Sequence, residues 1–210
     1  MVERTGTLTA YVGPMAANKS ANFVERVRWL RKEGYAVSVC MPSEVDAKLM
    51  HAASRTGVSE YANRFSGPHD IARWMSEVFE PKKNEDDPDE KPMPVKKALC
   101  IDEVQDAGLW LVDTVGSLLA QGRTIVVAGR ETDFRGEPFP IMEKLRALAD
   151  SYMVLTAVCV ICGRKAERSQ RLVDGKPAPW DSPIKERGGP RETYQPRCIV
   201  HHEVPGRPGT

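Results

Sequence analysis

A strand, a glycine-containing turn and a helix follow one another without a gap near the N-terminus of this sequence, and few folds accommodate that order. Residues 7–12 alternate and are rich in β-forming types, and the Gly-Pro pair at 13–14 ends the strand in a tight turn. Residues 19–33 predict a helix, and Gly34 stands where a helix C-cap is expected. The apolar residues at helical spacing are Phe23, Val27 and Leu30. Because the first N–H groups of such a helix face the turn, this unit can bind an anion such as phosphate.

The turn at residues 13–20 follows the phosphate-binding pattern G-x-x-x-x-G-K-[ST] at every fixed position but one. Lys19 is expected to meet the β- and γ-phosphates of a nucleotide, and Ser20 is expected to ligate Mg²⁺. Asn18 replaces the second glycine; asparagine tolerates a positive φ, but its side chain occupies space close to the phosphates. The alternative is a strand, a turn and a helix in which Lys-Ser occurs by chance. The predicted nucleotide-binding residues are Gly13, Pro14, Met15, Ala16, Ala17, Asn18, Lys19 and Ser20.

Strand-like and helix-like segments continue to alternate after this first unit, which predicts a largely parallel sheet. Further strands are expected at 36–41, 98–101 and 124–128, and further helices at 109–119 and 138–148. Residues 80–94 combine many charges and prolines with no aromatic side chain, so they predict a flexible loop. The predicted fold class is α/β, a P-loop NTPase-like and mainly parallel sheet with helices on both faces, followed by a small C-terminal lobe.

The overall charge excludes some classes of function. Its 30 basic and 29 acidic residues leave a formal net charge of +1, so no global charge draws the chain to nucleic acid or to an anionic membrane. No apolar run approaches the ~18 residues needed to span a bilayer, and the N-terminus lacks the charged-then-apolar order of a signal peptide. We therefore expect a cytoplasmic protein that binds anions locally and does not bind nucleic acid directly.

Two adjacent carboxylates follow the short apolar segment at 98–101. Asp102 and Glu103 would stand at the C-terminal edge of a parallel sheet, where ligands of such folds bind. Asp102 would hold Mg²⁺ through water, and Glu103 would be the general base that takes a proton from an attacking hydroxyl group. Two solvated acids at a strand end are the alternative, but the loop and the acidic pair together supply both halves of a metal–nucleotide site.

Two Cys/His pairs near the C-terminus have the same spacing. Cys159 and Cys162 form a C-x-x-C motif, and Cys198 and His201 are also separated by two residues. Four such ligands suit a tetrahedral, structural Zn²⁺ site, and the absence of an export signal favours metal binding over disulfides. His202 is the alternative fourth ligand, and four side chains unrelated in space are the alternative to a metal site. The predicted domains are a nucleotide-binding core at 1–157 and a zinc-binding lobe at 158–210.

The order of these motifs resembles that of the thymidine kinases found in cells and in many viruses and phages. That family has G-P-M-x-x-G-K-[ST], I-D-E-x-Q, A-G-L-D-x-x-F-x-x-x-P-F, C-x-x-C-G-x-x-A and Y-x-x-x-C-x-x-[CH]. The corresponding segments of this chain are 13–20, 101–105, 128–139, 159–166 and 194–201. The five motifs stand in the same order and cover most of the chain.

The resemblance implies a deoxynucleoside kinase that uses ATP and Mg²⁺ and serves DNA synthesis. It implies transfer of the γ-phosphoryl group of ATP to the 5′-hydroxyl of thymidine, with Glu103 as the base and Gln105 beside Asp102 in the nucleotide site. It also implies that the segment between the zinc pairs is a lasso over the nucleoside, and that the family's homotetramer is one possible assembly. The residues that it assigns to the thymidine pocket are Met15, Phe134, Phe139 and Tyr194.

Several positions depart from the family pattern and define the alternatives; Glu131 replaces the Asp of A-G-L-D, and the segment 188–194 is one residue longer than the family lasso. Besides Asn18, Asp106 stands where the family has an aromatic residue, and Arg130 stands where it has a leucine. In the family both of these positions face the nucleoside, so the two charges would have to be paired or solvated here. Asp106 and Arg130 could pair with each other and favour a more polar nucleoside. A binding or scaffold protein that kept the fold and the zinc but lost catalysis is the alternative to an active kinase, and an ATPase that uses water is a third reading.

Overall fold

The computed structural model describes residues 5–44, 51–53, 59–77, 96–184 and 192–209. Twelve elements lead up to residue 154: β1 (Thr7–Val12), α1 (Lys19–Lys32), β2 (Ala36–Pro42), β3 (His51–Ala53), β4 (Ser59–Tyr61), β5 (Asn63–Phe65), α2 (Pro68–Glu77), β6 (Lys97–Ile101), α3 (Trp110–Ala120), β7 (Thr124–Gly129), α4 (Pro140–Leu148) and β8 (Ser151–Val154). Six of the strands form one sheet in the order β5-β2-β6-β7-β1-β8, and every adjacent pair in it is parallel. The remaining two, β3 and β4, form a separate antiparallel pair.

Helices cover both faces of the six-stranded sheet, because successive residues of its central strands point to opposite sides. One face packs against α1, and its buried cluster includes Phe23, Val27, Cys100 and Val126. The other face packs against α2, α3 and α4, and its cluster includes the intervening residues of the same strands. Burial of each such Val, Leu or Phe side chain contributes about 1.5–3 kcal/mol, so both layers are needed to hold the sheet. The predicted α/β class with a mainly parallel sheet is confirmed.

The predicted elements of this sheet lie where the sequence placed them, with small shifts at their ends. The helix expected from residue 138 begins at Pro140 instead, because Pro138 forms a β-bridge with Thr132 and Phe139 is still extended. Proline at the first helical position lacks only an N–H that would have no partner within the helix. Among the described elements up to residue 154, α2, β3, β4, β5 and β8 had no counterpart in the sequence prediction. The flexible loop predicted at 80–94 lies outside the described residues.

Short antiparallel strands follow the main sheet: β9 (Ala157–Val158), β10 (Lys165–Ala166), β11 (Arg168–Val173), β12 (Lys176–Pro177) and β13 (Glu192–Arg197). Strand β9 pairs with β10, and β11 lies between β12 and β13 in a three-stranded sheet. The buried residues beside the β9–β10 pair include Cys159, Ala166 and Cys198. Within the residues that the structure describes, every helix is too short or too polar to cross a bilayer.

Candidate nucleotide and metal sites

The sheet order brings the phosphate loop and the acidic pair to one edge. Strands β1 and β6 both pair with β7, so the segments that leave their C-terminal ends emerge on either side of it. The loop at 13–18 leaves β1, Asp102 and Glu103 leave β6, and Arg130 follows β7. The carboxyl edge of a parallel sheet is where ligands of such folds bind. The two halves of the predicted metal–nucleotide site are therefore adjacent.

The loop adopts a bend that uses left-handed backbone at two non-glycine residues. Ala16 has φ 62° and Asn18 has φ 57°, and the Asn18 side chain makes no capping hydrogen bond. Gly13 has φ 152°, and a Cβ added there would lie 2.3 Å from the Leu155 carbonyl oxygen, so only glycine fits. Asparagine tolerates the left-handed region better than most side chains, which explains how α1 can begin without the usual glycine. The loop predicted from the sequence thus forms despite the substitution.

Lys19 closes the loop on itself. Only 8% of the residue is exposed, and its Nζ donates a hydrogen bond to the Pro14 carbonyl at 2.7 Å. This contact holds the ammonium group beside the start of the loop. A phosphate bound at this loop would accept hydrogen bonds from Nζ and from the first N–H groups of α1, which have no partner within the helix.

Asp102 is buried and its ionisation is perturbed. Burial, followed by the charge of Glu103, raises the pKa of Asp102 to about 7, although the Lys19 ammonium and a hydrogen bond with the Ser20 side chain act in the opposite direction. Its carboxylate also accepts a hydrogen bond from the Glu103 N–H at 2.9 Å. A cation beside this carboxylate would stabilise the charged form that burial disfavours. The Asp102–Ser20 pair therefore has the donor chemistry that Mg²⁺ requires.

The Gln105 side chain makes three hydrogen bonds in a network that includes Glu103. Its Nε2 donates to Glu103 Oε2 at 2.6 Å and to Asp106 Oδ2 at 2.9 Å, and its Oε1 accepts from the Arg130 N–H at 3.0 Å. Gly129 is required beside it, since an added Cβ would lie 2.7 Å from Gln105 Oε1. Glu103 itself has φ 51°, in the left-handed region. The network fixes the direction of the Glu103 carboxylate, which the sequence analysis predicts to be a general base.

The residues predicted to line a nucleoside pocket surround two arginine side chains. The Arg130 guanidinium lies 5.4 Å from the centre of the Phe139 ring and 6.0 Å from that of Tyr194. Burial, followed by the charge of Glu192, raises the pKa of Tyr194 to about 12. Met15 is tied to the three-stranded sheet because its N–H donates to Ser169 Oγ at 2.9 Å.

Phe134 is buried beside the second arginine, Arg171, whose guanidinium lies 5.2 Å from the centre of its ring. A cavity of about 220 Å³ opens next to the start of the phosphate loop. Its lining residues are Gly13, Pro14, Glu131, Thr132, Val154, Leu155, Glu167 and Arg168. The pairing of Asp106 with Arg130 that the sequence suggested stays a prediction.

The sequence prediction did not single out Ser169 and Arg171 on β11 or Glu192 on β13, which the structure places in the three-stranded sheet. All three are buried or nearly so, and Arg171 is the largest fully buried side chain among the described residues. No motif contains them. A signal was nevertheless present, because polar Ser169 and Arg171 stand two residues apart in a β-forming segment and so face the same side.

The two Cys/His pairs converge on one point. The ligand atoms of Cys159, Cys162, Cys198 and His201 all lie within 4.8 Å of one another. The Sγ atoms of Cys162 and Cys198 are 3.7 Å apart, and the His201 Nδ1 lies 3.8 Å from Cys159 Sγ and 3.3 Å from Cys198 Sγ. Zn–S and Zn–N bonds of about 2.3 and 2.0 Å place tetrahedral ligands roughly 3.5–3.8 Å apart, so this donor set fits zinc.

The structure also separates the two histidines. The His202 ring lies 2.8 Å from the Phe134 carbonyl oxygen through its Nε2, so that side chain faces away from the cysteines. Burial opposes ionisation of Cys159, but N–H groups at Cys198, Ile161 and Cys162 and the His201 ring hold the pKa of its thiol at about 5. A thiol that ionises at neutral pH is prepared to bind a metal ion, since the thiolate is the ligand form.

Known proteins match this chain over nearly its whole length. The family model described as thymidine kinase matches residues 6–202. The thymidine kinase of Thermococcus kodakarensis is 35% identical over 204 residues, which cover 95% of this chain and 95% of that protein. The thymidine kinase of Coprothermobacter proteolyticus is 34% identical over 210 residues, with 99% of this chain and 96% of that protein covered. A solved structure titled ATPase overlaps with a TM-score of 0.43 at 12% identity, covering 78% of this chain and 72% of that one.

Proposed function

This chain belongs to the thymidine kinase family, and on that premise we propose that it transfers the γ-phosphoryl group of ATP to the 5′-hydroxyl of thymidine or a related deoxynucleoside. One observation carries the proposal. The phosphate loop, its buried Lys19, the Asp102–Ser20 pair and Glu103 stand together at the carboxyl edge of the sheet. These are the groups that phosphoryl transfer needs for positioning, charge neutralisation and proton removal.

Each of these residues has a separate task in the proposal. The first N–H groups of α1 and the Lys19 ammonium bind the phosphates, because both are positively polarised donors at the end of the same loop. Glu103 accepts the proton of the attacking 5′-hydroxyl as that oxygen bonds to phosphorus. Gln105 keeps the Glu103 carboxylate in one orientation through the 2.6 Å hydrogen bond to its Oε2. A base held in place by its neighbours loses less entropy on reaching the transition state.

Two metal ions complete the proposal. Asp102 and Ser20 would hold Mg²⁺, which neutralises charge on the phosphates when it is bound. Cys159, Cys162, Cys198 and His201 would hold a structural Zn²⁺, since four protein ligands leave no open coordination position. The zinc site would join the C-terminal pair to the β9–β10 hairpin and so organise the lobe that we assign to residues 158–210, after a core at 1–157.

The nucleoside site is proposed to lie between Met15 and three aromatic side chains, Phe134, Phe139 and Tyr194. Arg130 contacts two of these rings, so the pocket presents a guanidinium group to the base. The carbonyl or ring-nitrogen acceptors of a base would satisfy that group, whereas the methyl group of thymine would not. A homo-oligomer, a cytoplasmic location and the absence of direct nucleic-acid binding stay predictions.

A kinase assay tests the proposal. Purified protein with Mg·ATP and each of the deoxynucleosides in turn is expected to give a nucleoside monophosphate, which chromatography resolves. Glu103→Gln should lower kcat by about 10²–10⁴-fold, because it removes the general base and keeps the hydrogen-bonding shape. Glu143→Gln, an exposed change on α4, is the matched control and should leave kcat unchanged.

The result that would overturn the proposal is a folded protein that makes no monophosphate from any deoxynucleoside. A protein that binds Mg·ATP in a separate titration but makes no monophosphate would be a scaffold. If Glu103→Gln retained full activity, Glu103 would not be the base, and the assignment of the acidic pair would be wrong.

A further inference from the structure

We propose that Arg171 is a positioning residue for the nucleoside site, and that its buried pair with Glu192 holds the Phe134 and Tyr194 rings in place. This inference rests on the proposed function, since it concerns the pocket assigned there. It adds to that assignment a residue that no motif contains, in the three-stranded sheet that faces the phosphate loop.

One face of this sheet is turned toward the phosphate loop. Strands β11 and β13 are antiparallel, with Arg171 opposite Tyr194 and Val173 opposite Glu192. Directly opposed residues share a face, and so do residues two apart along a strand. Ser169, Arg171, Glu192 and Tyr194 therefore project to the same side. Because Ser169 Oγ accepts the Met15 N–H, that side is the one that meets the loop.

The Arg171 guanidinium is buried and contacts three separate segments. Its side chain is 0% exposed and that of Glu192 is 5% exposed, with Nε 2.7 Å from Glu192 Oε1. This contact is an ion pair between two buried charges. A second nitrogen donates to the Pro183 carbonyl at 2.6 Å, and the guanidinium carbon lies 5.2 Å from the centre of the Phe134 ring.

The planar guanidinium group fixes the relative positions of its three partners. Its donors point in set directions within one plane and its face stacks on aromatic rings, so an arginine can hold several partners at defined angles. Here the ion pair fixes β13 two residues from Tyr194, the hydrogen bond fixes the backbone at Pro183, and the stacking face fixes Phe134. The two rings assigned to the nucleoside thus share one support.

The buried Arg171–Glu192 ion pair is not the arrangement that would stabilise the fold most. Taking two charges out of water is unfavourable, and a buried ion pair can often be replaced by apolar side chains without loss of stability. Removing only one partner is different, since it leaves an unpaired buried charge. Stability and positioning can therefore be separated by comparing a single with a double substitution.

The test compares Arg171→Met with the double variant Arg171→Met/Glu192→Met. Melting temperature, zinc content, kcat and the KM values for nucleoside and for ATP are measured for each. The single variant should melt lower, and its nucleoside KM should rise roughly tenfold to a hundredfold, as expected when loss of a support misplaces groups that contact the substrate. The double variant should regain the melting temperature and keep the raised nucleoside KM, with zinc bound and the KM for ATP within about twofold of wild type.

Two controls complete the test. Arg171→Lys keeps the charge and loses the planar fork, so its nucleoside KM should stay raised. Arg73→Met, an exposed change on α2, should alter none of the measured values. The inference is wrong if the double variant regains a normal nucleoside KM, if both KM values rise by the same factor, or if Arg171→Met leaves the nucleoside KM unchanged.

Failure of the inference can be told from failure of the proposed function. If wild type makes no monophosphate, the kinase assignment fails. Nucleoside binding without turnover can then be measured as a rise in melting temperature when deoxynucleoside is added. A rise in wild type that the double variant loses would support the positioning role, and an equal rise in both would overturn it. Absence of any rise in wild type would overturn both ideas.

Discussion

Asparagine in the bend of the phosphate loop should limit both stability and nucleotide binding, and replacing it separates the two effects. Asn18 has φ 57° and ψ 24°, and its side chain makes no capping hydrogen bond that would repay the strained backbone. The left-handed conformation costs most side chains about 1–2 kcal/mol, and asparagine is among those that tolerate it best. We therefore expect Asn18→Ala to destabilise the protein by about 1 kcal/mol, which lowers Tm by about 2–4 °C in a chain of this size.

Asn18→Gly relieves the strain at the same position but gives the unfolded chain more freedom. The two effects are each about 0.5–1 kcal/mol and oppose one another, so Tm should stay close to that of wild type. Its effect on nucleotide binding should be larger, because the phosphates can approach a backbone that carries no side chain. We expect Mg·ATP affinity and turnover to rise about 3- to 10-fold, equivalent to about 1 kcal/mol.

The assays are a melting curve and a titration of Mg·ATP, and the chain offers a matched control. Asp174 also has a left-handed backbone, with φ 49°, in the turn between β11 and β12. Asp174→Ala should lose about as much stability as Asn18→Ala and leave ATP affinity unchanged, since Asp174 belongs to the β11–β12 turn and not to the phosphate loop. An Asn18→Gly protein with unchanged or lower turnover would refute the steric reasoning, and an Asn18→Ala protein with wild-type Tm would refute the strain reasoning.

Three further predictions concern the metal cluster, the buried carboxylate and the nucleoside pocket. Cys159→Ser should abolish the stoichiometric zinc measured by metal analysis and lower Tm sharply, because the metal contributes folding free energy; a metal-free wild-type protein with an intact melting transition would count against the site. Because burial raises the folded pKa of Asp102 to about 7 from 3.8, the folded state keeps a proton that the unfolded state releases between those pH values. The free energy of unfolding of nucleotide-free wild type should therefore fall relative to Asp102→Asn as pH rises from about 4 to about 7, by about 4 kcal/mol at most, and then level off; parallel stability curves would show that Asp102 is not perturbed. Arg130→Leu should shift the ratio of kcat/KM values toward thymidine, relative to deoxynucleosides with more polar bases, by about tenfold, since it replaces a cation with an apolar side chain that can contact the thymine methyl group; an unchanged ratio would place Arg130 outside the pocket.

Patterned segments of the fold could be predicted from the sequence, and short segments could not. The first strand, the loop and α1 were predicted because alternation, a Gly-Pro turn and helical spacing all agree there. Strand β5 spans only Asn63–Phe65, and β8 spans Ser151–Val154, so neither is long enough to show a period. Both exist because a neighbouring strand supplies hydrogen bonds, β2 for one and β1 for the other. Pairing with that neighbouring strand is a tertiary interaction, which a local sequence pattern does not reveal.

The candidate site, too, could be predicted from the sequence only in part. Lys19, Asp102 and Glu103 belong to motifs that sit at strand ends, and the parallel topology alone brings them together. The choice between His201 and His202 could not be made from spacing, and the structure makes it because the His202 ring turns to the Phe134 carbonyl. Arg171 was not anticipated because its partners, Glu192 and Pro183, come together only after β11 and β13 have paired.

The central claim is that the loop at 13–20 binds the triphosphate of ATP, with Lys19 and the Asp102–Ser20 pair beside it. Titration of a fluorescent ATP analogue into the purified protein, with and without Mg²⁺, measures this most directly. The account predicts saturable binding that requires Mg²⁺, that weakens about 10- to 100-fold in Lys19→Met, and that is unchanged in Lys144→Met, an exposed control on α4. A folded protein that gives no saturable, magnesium-dependent signal would contradict it.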